Sequence, residues 1–329
     1  TPDDDSDNCY NVIYNRYLDL TGYTGEPAVI DGFTITGGNA NCSIDGYSRL
    51  YGGGFFNALS SVTISNCVIR GNHAGSSVAG DGRGGGIYNY CNSPTITNCV
   101  IEDNSCDIFC GGGIYNEGYD SSYPCNPTVT NCRFENNSAV YGGGMYSKNY
   151  CNLAVTNCQF IGNNAVAWDM SRGGGMETNN YSSLAITNCK FIGNHSDGSG
   201  GGMVFSNSDP AYTATITNCL FFGNSALNGG GMVFSGGYGG DQLINSTFSG
   251  NSVNNSTATY PSLTTAHGGG IAFFTSRPVI KNTIIWGNST DATGEGPETY
   301  VYYYDAPTFP TFSNCDIRGS GGSGAWNTA

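Results

Sequence analysis

Cysteine is the residue type whose number and spacing point most directly to chemistry in this sequence. The 329-residue chain has 14 cysteines, and seven of them lie outside the regular repeat described below. These seven are the disulfide candidates: Cys9, Cys42, Cys91, Cys106, Cys110, Cys125 and Cys151. Cys91, Cys125 and Cys151 occupy equivalent places in successive repeats, so two of the three could pair. Cys106 and Cys110 flank a short loop, and Cys9 could reach Cys42. No pair has the Cys-x-x-Cys spacing typical of zinc sites.

Carboxylates suited to calcium occur at two places. Residues 236–244 match one copy of the nonapeptide that binds calcium in toxin-type β-rolls, and Asp241 is its candidate ligand. That mechanism needs tandem copies, because each ion lies between adjacent turns. Asp3, Asp4 and Asp5 could also hold calcium, although a run of like charges is usually a solvated segment. We therefore expect no cofactor, with calcium at these aspartates as the alternative.

A tyrosine-rich segment late in the chain is the candidate ligand-binding site. Its aromatic residues are Tyr300, Tyr302, Tyr303 and Tyr304, and Trp286 precedes them in the sequence. Exposed aromatic rings stack on sugars or anchor protein interfaces. The same rings can instead pack the segment against the rest of the molecule, and both interpretations stay open.

Residues for catalysis are sparse. A polysaccharide lyase needs Arg or Lys as a base, and Arg70, Arg133 and Lys190 lie near equivalent positions of the repeat but not in consecutive copies. A hydrolase needs two carboxylates about 5–10 Å apart. Four acids in successive predicted loops could converge: Asp169, Glu177, Asp197 and Asp209. Chance clustering explains them equally well, so no catalytic residue is assigned.

All these residues are positioned by a repeat of roughly 30 residues. A triplet of glycines followed by an apolar residue begins at Gly52, Gly84, Gly111, Gly142, Gly173, Gly200, Gly229 and Gly268. A first asparagine follows at Asn66, Asn98, Asn131, Asn157, Asn188, Asn218, Asn245, Asn282 and Asn314. A second asparagine comes six residues later, at Asn72, Asn104, Asn137, Asn163, Asn194, Asn224, Asn251 and Asn288. Because insertions fall only outside this six-residue segment, the segment is framework and the variable stretches are loops.

Each repeat predicts three short strands separated by bends. Ile96 lies two residues before Asn98 and Ile101 three residues after it, so the side-chain parity changes at the asparagine. The chain must turn there to keep both apolar residues inside, and Asn tolerates the left-handed conformation of such a corner. Stacking about nine coils gives an all-β fold, a right-handed parallel β-helix with three parallel sheets and ladders of Asn amides.

The remaining seven cysteines directly follow the first asparagine and share the parity of the inward residues. They are Cys67, Cys99, Cys132, Cys158, Cys189, Cys219 and Cys315. We expect a column of small buried side chains, which Ser246 and Thr283 complete at the same position. Phe205, Phe234 and Phe273 replace an earlier Asn position of the repeat and predict an aromatic stack in the core.

Charge and composition exclude several classes of function. A net charge of −14 with only 11 Lys and Arg leaves no basic surface for nucleic acid. Membrane insertion is not expected, since no stretch approaches the ~18 apolar residues that a spanning helix requires. Many cysteines in a chain poor in lysine suggest an oxidising, extracellular setting.

Three motifs carry a resemblance to a known group of proteins: residues 84–89 (GGGIYN), 95–99 (TITNC) and 160–163 (FIGN). They resemble the repeats of bacterial extracellular pectin-lyase-like β-helix proteins and of chlamydial polymorphic outer-membrane proteins. Residues 29–40 resemble the first coil of large secreted proteins in that group. The resemblance covers about residues 28–320 and implies the architecture, while lyases, hydrolases, adhesins and structural proteins all share it.

From these patterns we expect an N-terminal segment or cap at 1–27, the β-helix at 28–320 and a C-terminal tail at 321–329. The expected function is a secreted or cell-surface structural or adhesive protein, such as an adhesin passenger or filament subunit. It would associate end to end or bind a cell surface or polysaccharide. A polysaccharide lyase or glycoside hydrolase is the alternative, and a carbohydrate-binding module is the second alternative.

Overall fold

The structure is a computed structural model, and it describes ten stretches of the chain. They are residues 10–17, 28–41, 50–75, 82–107, 109–167, 170–236, 239–254, 266–291, 295–302 and 309–318. Cys9 and Cys42, Asp3, Asp4 and Asp5, and Tyr303 and Tyr304 lie outside these stretches.

The described residues form a right-handed parallel β-solenoid of four sheets, in which each coil adds one strand to each sheet. Sheet 1 contains β1 (Ile13–Arg16), β5 (Phe55–Ala58), β9 (Ile87–Tyr90), β13 (Ile114–Glu117), β17 (Met145–Lys148), β21 (Met176–Asn179), β25 (Met203–Ser206), β29 (Met232–Ser235), β33 (Ile271–Phe274) and β37 (Thr299–Tyr302). Sheet 2 contains β2 (Ala28–Asp31), β6 (Val62–Ser65), β10 (Thr95–Thr97), β14 (Thr128–Thr130), β18 (Asn152–Thr156), β22 (Ser183–Thr187), β26 (Ala214–Thr217), β30 (Gln242–Ile244), β34 (Val279–Lys281) and β38 (Thr311–Ser313).

Two further sheets close the coil. Sheet 3 contains β3 (Thr34–Ile35), β7 (Val68–Arg70), β11 (Val100–Glu102), β15 (Arg133–Glu135), β19 (Gln159–Ile161), β23 (Lys190–Ile192), β27 (Leu220–Phe222), β31 (Thr247–Ser249), β35 (Ile284–Trp286) and β39 (Asp316–Ile317). Sheet 4 contains β4 (Asn39–Ala40), β8 (His73–Ala74), β12 (Ser105–Cys106), β16 (Ser138–Ala139), β20 (Asn164–Ala165), β24 (His195–Ser196), β28 (Ser225–Ala226), β32 (Ser252–Val253) and β36 (Ser289–Thr290).

The prediction of a parallel β-helix is confirmed, but the prediction of three sheets is wrong. The fourth sheet is built from two-residue strands that follow the second asparagine of each coil. Their inward residues are small, for example Ala74 and Ala165, which are fully buried. An inward alanine gives no strong apolar signal in the sequence, so the alternation that revealed the other three sheets did not reveal this one.

Corners of the coil lie where the asparagines predicted a bend. All nine first asparagines have a positive φ, between 51° and 56°. The corner between sheets 3 and 4 is formed by the residue before the second asparagine, such as Gly162 or Gly193, which also has a positive φ. The glycine triplets form the corner between sheets 4 and 1, where neighbouring coils leave no room for a Cβ atom.

The interior holds columns of identical side chains. Five phenylalanines stack in sheet 3 with ring centroids 4.4–4.8 Å apart: Phe134, Phe160, Phe191, Phe221 and Phe248. Phe205, Phe234 and Phe273 lie in register at the core position predicted for them. Such columns bury apolar area in every coil while the strands hydrogen-bond along the axis.

Ladders of asparagine amides are confirmed. Each second asparagine from Asn72 to Asn251 is buried and donates from Nδ2 to Oδ1 of the next one at 2.9–3.0 Å. The first asparagines form an exposed ladder, in which Asn218 donates to Asn188 at 3.2 Å. The two ladders run along the corners on either side of sheet 3 and tie its coils together.

Candidate functional site

The predicted disulfide cysteines are brought together in two places. Cys125 and Cys151 are paired across adjacent coils and are fully buried. Burial raises the pKa of Cys151 well above its usual value, and the adjacent Cys125 thiol raises it further. Burial also raises the pKa of Cys91 to about 11. Cys106 is near enough to Cys110 to raise the pKa of that thiol, although burial has the larger effect. Cys91, Cys110, Cys125 and Cys151 are thiols in this structure, so disulfide pairing stays a prediction.

The corner cysteines form a buried column with a polar role. Cys158 Sγ accepts the backbone N–H of Cys132 at 3.4 Å and contacts the carbonyl of Thr156 at 3.3 Å. Ser246 makes the same two kinds of contact, accepting the N–H of Cys219 at 3.2 Å. The position therefore requires a small side chain that both accepts and donates a hydrogen bond.

Asp241, the calcium candidate within the described residues, is buried and holds the neighbouring coil. Its Oδ1 accepts the backbone N–H of Ala214 at 2.8 Å, and burial raises its pKa. Across the described stretches, no group of three or more His, Cys, Asp or Glu side chains is arranged to hold a metal ion.

The aromatic candidates lie on two different sheets. Tyr300 and Tyr302 belong to β37 in sheet 1, and the Tyr300 ring stacks on His267 with centroids 3.9 Å apart. Trp286 belongs to β35 in sheet 3 and its side chain is exposed. The structure therefore does not bring Trp286 together with Tyr300 and Tyr302.

A charged and aromatic cluster, which the sequence did not predict, lies on the outer side of sheet 1. Glu117 accepts from Arg83 Nη1 at 2.6 Å and from the Tyr115 hydroxyl at 3.1 Å. Lys148 Nζ lies 3.4 Å from the other oxygen of Glu117. Aromatic rings of Phe56, Tyr88, Tyr115 and Tyr146 stack along this side with centroids 5.4–5.5 Å apart. The sequence did contain a signal for this cluster. Three successive repeats have a tyrosine two residues after the glycine triplet.

Glu177 lies on the same outer side, two coils beyond Glu117. It is fully buried, and its Oε1 accepts from Asn179 at 3.0 Å and lies 3.2 Å from Arg172 Nη2. Among the described residues, the other oxygen, Oε2, and Asn179 Oδ1 have no hydrogen-bond partner. Burial raises the pKa of Glu177 to about 7, against the opposing effect of Arg172.

The structure places the described members of the four loop acids in different settings. Glu177 is in strand β21 rather than a loop. Asp197 pairs with His195 at 3.0 Å beside sheet 4, and Asp209 accepts the N–H of Ala211 in a turn. Asp169 lies outside the described residues.

Chemically, the sheet 1 cluster has the residue types of a polysaccharide-degrading site but not their accessibility. Glu117 and Glu177 share one side of one sheet with Arg83, Arg172 and Lys148. A catalytic acid must reach the oxygen that it protonates, and the Glu177 side chain is 0% exposed. The Glu117 carboxylate already contacts Arg83, Lys148 and Tyr115. The arrangement is a buried polar network on the solenoid wall.

The fold and these contacts define a parallel β-solenoid whose coils are joined by side-chain hydrogen bonds as well as by the sheets. A family model described as right handed beta helix region matches residues 7–166 and 110–248, more than half of the chain. The chain belongs to this right-handed β-helix family. Comparison with curated proteins and with solved structures finds no match. Within the described stretches, no helix has the length and hydropathy needed to cross a membrane.

Proposed function

We propose that this protein is a non-enzymatic extracellular β-solenoid with a structural or adhesive role at a cell surface or in a filament. The observation that carries the proposal is the outer face of sheet 2. From β6 to β30, seven successive strands present no charged side chain to solvent.

Two columns of uncharged side chains, mostly Thr, Ser and Ala, cover this face. One column contains Thr63, Thr95, Thr128, Ala154, Ala185, Thr215 and Gln242. The other contains Ser65, Thr97, Thr130, Thr156, Thr187, Thr217 and Ile244. Parallel neighbours are about 4.8 Å apart, so the face repeats one surface pattern over its length. Repetition of this kind suits packing or adhesion along a length better than turnover of a substrate at one point.

The distribution of charge supports the same conclusion. In the sheet 1 cluster, Glu117 and Glu177 are turned toward Arg83, Lys148 and Arg172. Charges held in this way stabilise the wall and leave few groups to transfer protons to a bound polymer. The 14 cysteines fit an extracellular setting, where Cys125 and Cys151 could become oxidised.

A polysaccharide lyase or hydrolase is the second candidate, and one observation favours it. Glu117 and Glu177 lie two strands apart on the same side of sheet 1 with arginines beside both. If the covering side chains moved, this would be the catalytic position.

Two measurements on the full chain separate the candidates. The first is incubation with polygalacturonate and with alginate, followed by ultraviolet absorbance for unsaturated products and a reducing-sugar assay. We expect no product; product that disappears in Glu117→Gln would overturn the proposal in favour of an enzyme. The second is electron microscopy of the native protein, in which we expect rods, and end-to-end filaments if the chain self-associates.

A further inference from the structure

Sheet 3 carries an exposed apolar patch that is separate from the charged and aromatic cluster of sheet 1. Phe222 is 50% exposed, Trp286 50% and Ile284 45%, and all three point outward from strands β27 and β35. Large apolar side chains grouped on a surface mark a binding site more often than single exposed residues do. We call Leu220, Phe222, Ile284 and Trp286 the aromatic patch.

The register places the two rings of the aromatic patch in one column. Phe222 pairs with Ser249, and Ser249 pairs with Trp286. The Cα atoms of the two residues are therefore two strand spacings apart, about 9.5 Å along the solenoid axis. The small side chain of Ser249 lies between the two aromatic residues in this column. Leu220, Thr247 and Ile284 form the parallel column beside it.

The two borders of the aromatic patch differ, and each has a feature suited to a flat ligand. On one side the exposed asparagine ladder passes Asn218 and Asn282. An Asn amide has two N–H donors and two acceptor lone pairs. Each of these asparagines donates one N–H to the preceding coil, and within the described stretches the other N–H is left for a ligand.

On the other border the corners are Gly223, Gly250 and Gly287, which have no side chain to cover the rings. Phe222 Cε2 lies 3.5 Å from where a Cβ of Gly250 would be. The Phe222 ring therefore lies against this corner, and half of the residue is exposed to solvent.

The size and charge of the aromatic patch limit the class of ligand that it can bind. Three strands by three residues cover about 10 Å by 7 Å, far less than the ~800 Å² per partner of a stable protein interface. None of the four residues of the aromatic patch is charged, and the chain carries −14 overall, which disfavours an anionic polymer. Sugar rings present apolar faces to aromatic side chains and hydroxyls to amides. Two aromatic residues with Cα atoms about 9.5 Å apart along the axis have the spacing of alternate residues in an extended sugar chain.

We propose that the aromatic patch binds a neutral, extended, β-linked polysaccharide that lies along the solenoid axis. Phe222 and Trp286 stack on alternate sugar rings, and the amides of Asn218 and Asn282 bind the hydroxyls at the edge. This inference rests on the adhesive role proposed above and names its ligand class and its surface.

The test is binding of the full chain to soluble hydroxyethylcellulose, cellohexaose and polygalacturonate, by affinity electrophoresis and calorimetry. We expect binding to the two neutral glucans, weaker or absent binding to polygalacturonate, and a loss of at least tenfold in Trp286→Ala and in Phe222→Ala. Tyr119→Ala, which removes an exposed aromatic ring elsewhere, is the matched control and should bind like the wild type.

Circular dichroism and thermal unfolding establish that the variants fold, as expected for outward side chains. Absence of binding to both neutral glucans, or equal binding by Trp286→Ala and the wild type, would overturn the inference. Either result leaves the proposed structural role intact, because that role fails instead on product formation from uronate polymers. Binding of polygalacturonate in preference to cellohexaose would also overturn it, since the aromatic patch would then not select a neutral chain.

Discussion

The side-chain amide of Asn288 donates to the carboxylate of Glu298 at 2.6 Å, and this contact ends the ladder of buried amides that begins at Asn72. Each amide in the ladder donates one N–H to the amide oxygen of the next coil and the other to a backbone carbonyl of the preceding coil, as Asn104 does to Asn137 and Ile69. At Asn288 the acceptor in the next coil is the Glu298 carboxylate instead of another asparagine. Glu298 also accepts the backbone N–H groups of Gly287 and Asn288, at 3.0 and 3.3 Å. A carboxylate at this point satisfies three donors with charge-assisted hydrogen bonds.

Replacing Glu298 should loosen the last coils of the solenoid. Glu298→Ala leaves the three donors without their acceptor, and hydrogen bonds to a charged group contribute about 1.5–3 kcal/mol. We expect a loss of that size in the free energy of unfolding, with faster hydrogen exchange in β35 and β36. Glu295→Ala is the control, because that residue is exposed. Equal effects of the two substitutions would contradict a capping role.

The pH dependence of stability should contain a contribution from Glu177. Its folded-state pKa is raised from 4.5 to about 7, so the folded protein holds the proton more tightly than the unfolded chain does. The stabilisation is complete below pH 4.5 and is lost as the pH rises toward 7. A shift of this size corresponds to about 3 kcal/mol.

Urea unfolding between pH 4.5 and 8 measures this contribution. Wild type should lose stability relative to Glu177→Gln as the pH rises, because Gln does not titrate. Glu135→Gln, which alters a carboxylate on sheet 3 that is partly exposed, should follow the wild-type profile. A constant difference between wild type and Glu177→Gln over the whole range would show that Glu177 does not titrate there.

The corner cysteine column should require a hydrogen-bonding side chain rather than sulfur. Cys158→Ser keeps an acceptor for the N–H of Cys132, as Ser246 does naturally for Cys219. Cys158→Ala leaves that buried N–H without a partner, at a cost of about 1–3 kcal/mol. Chemical denaturation should therefore rank Cys158→Ser above Cys158→Ala; the reverse order would mean that apolar packing alone decides the position.

What the sequence could predict depended on which residues repeat. The corner asparagines such as Asn66 and the phenylalanine columns could be predicted, because one residue type recurs at one position and its physical role is narrow. Sheet 4 could not, since an inward alanine such as Ala74 resembles loop composition. The burial of Glu177 could not be predicted either. It points outward from its strand, and no repeated residue type in the sequence marks its contacts with Arg172 and Asn179.

Cys125 and Cys151 should form a disulfide in protein produced in an oxidising compartment. They are parallel neighbours, whose Cα separation falls within the range of disulfides. Peptide mapping without reduction should recover this pair, and reduction should cost about 2–4 kcal/mol of stability. Recovery of Cys125 and Cys151 as free thiols from secreted protein would contradict the prediction.

The middle glycine of each triplet should tolerate substitution poorly. A Cβ on Gly174 would lie 2.2 Å from the carbonyl oxygen of His195 and 2.5 Å from that of Gly201, in the coil above. Both atoms are backbone held in hydrogen-bonded strands, so Gly174→Ala must push coils apart and cost 3 kcal/mol or more, at or beyond the upper end of the ~1–3 kcal/mol of ordinary overpacking. Gly193→Ala is the matched control: its Cβ would meet nothing within 4 Å, and only its φ of +61° opposes the change, by about 1–2 kcal/mol. Denaturation midpoints should separate the two variants clearly, and similar midpoints would mean that the coils can part at the triplet without loss.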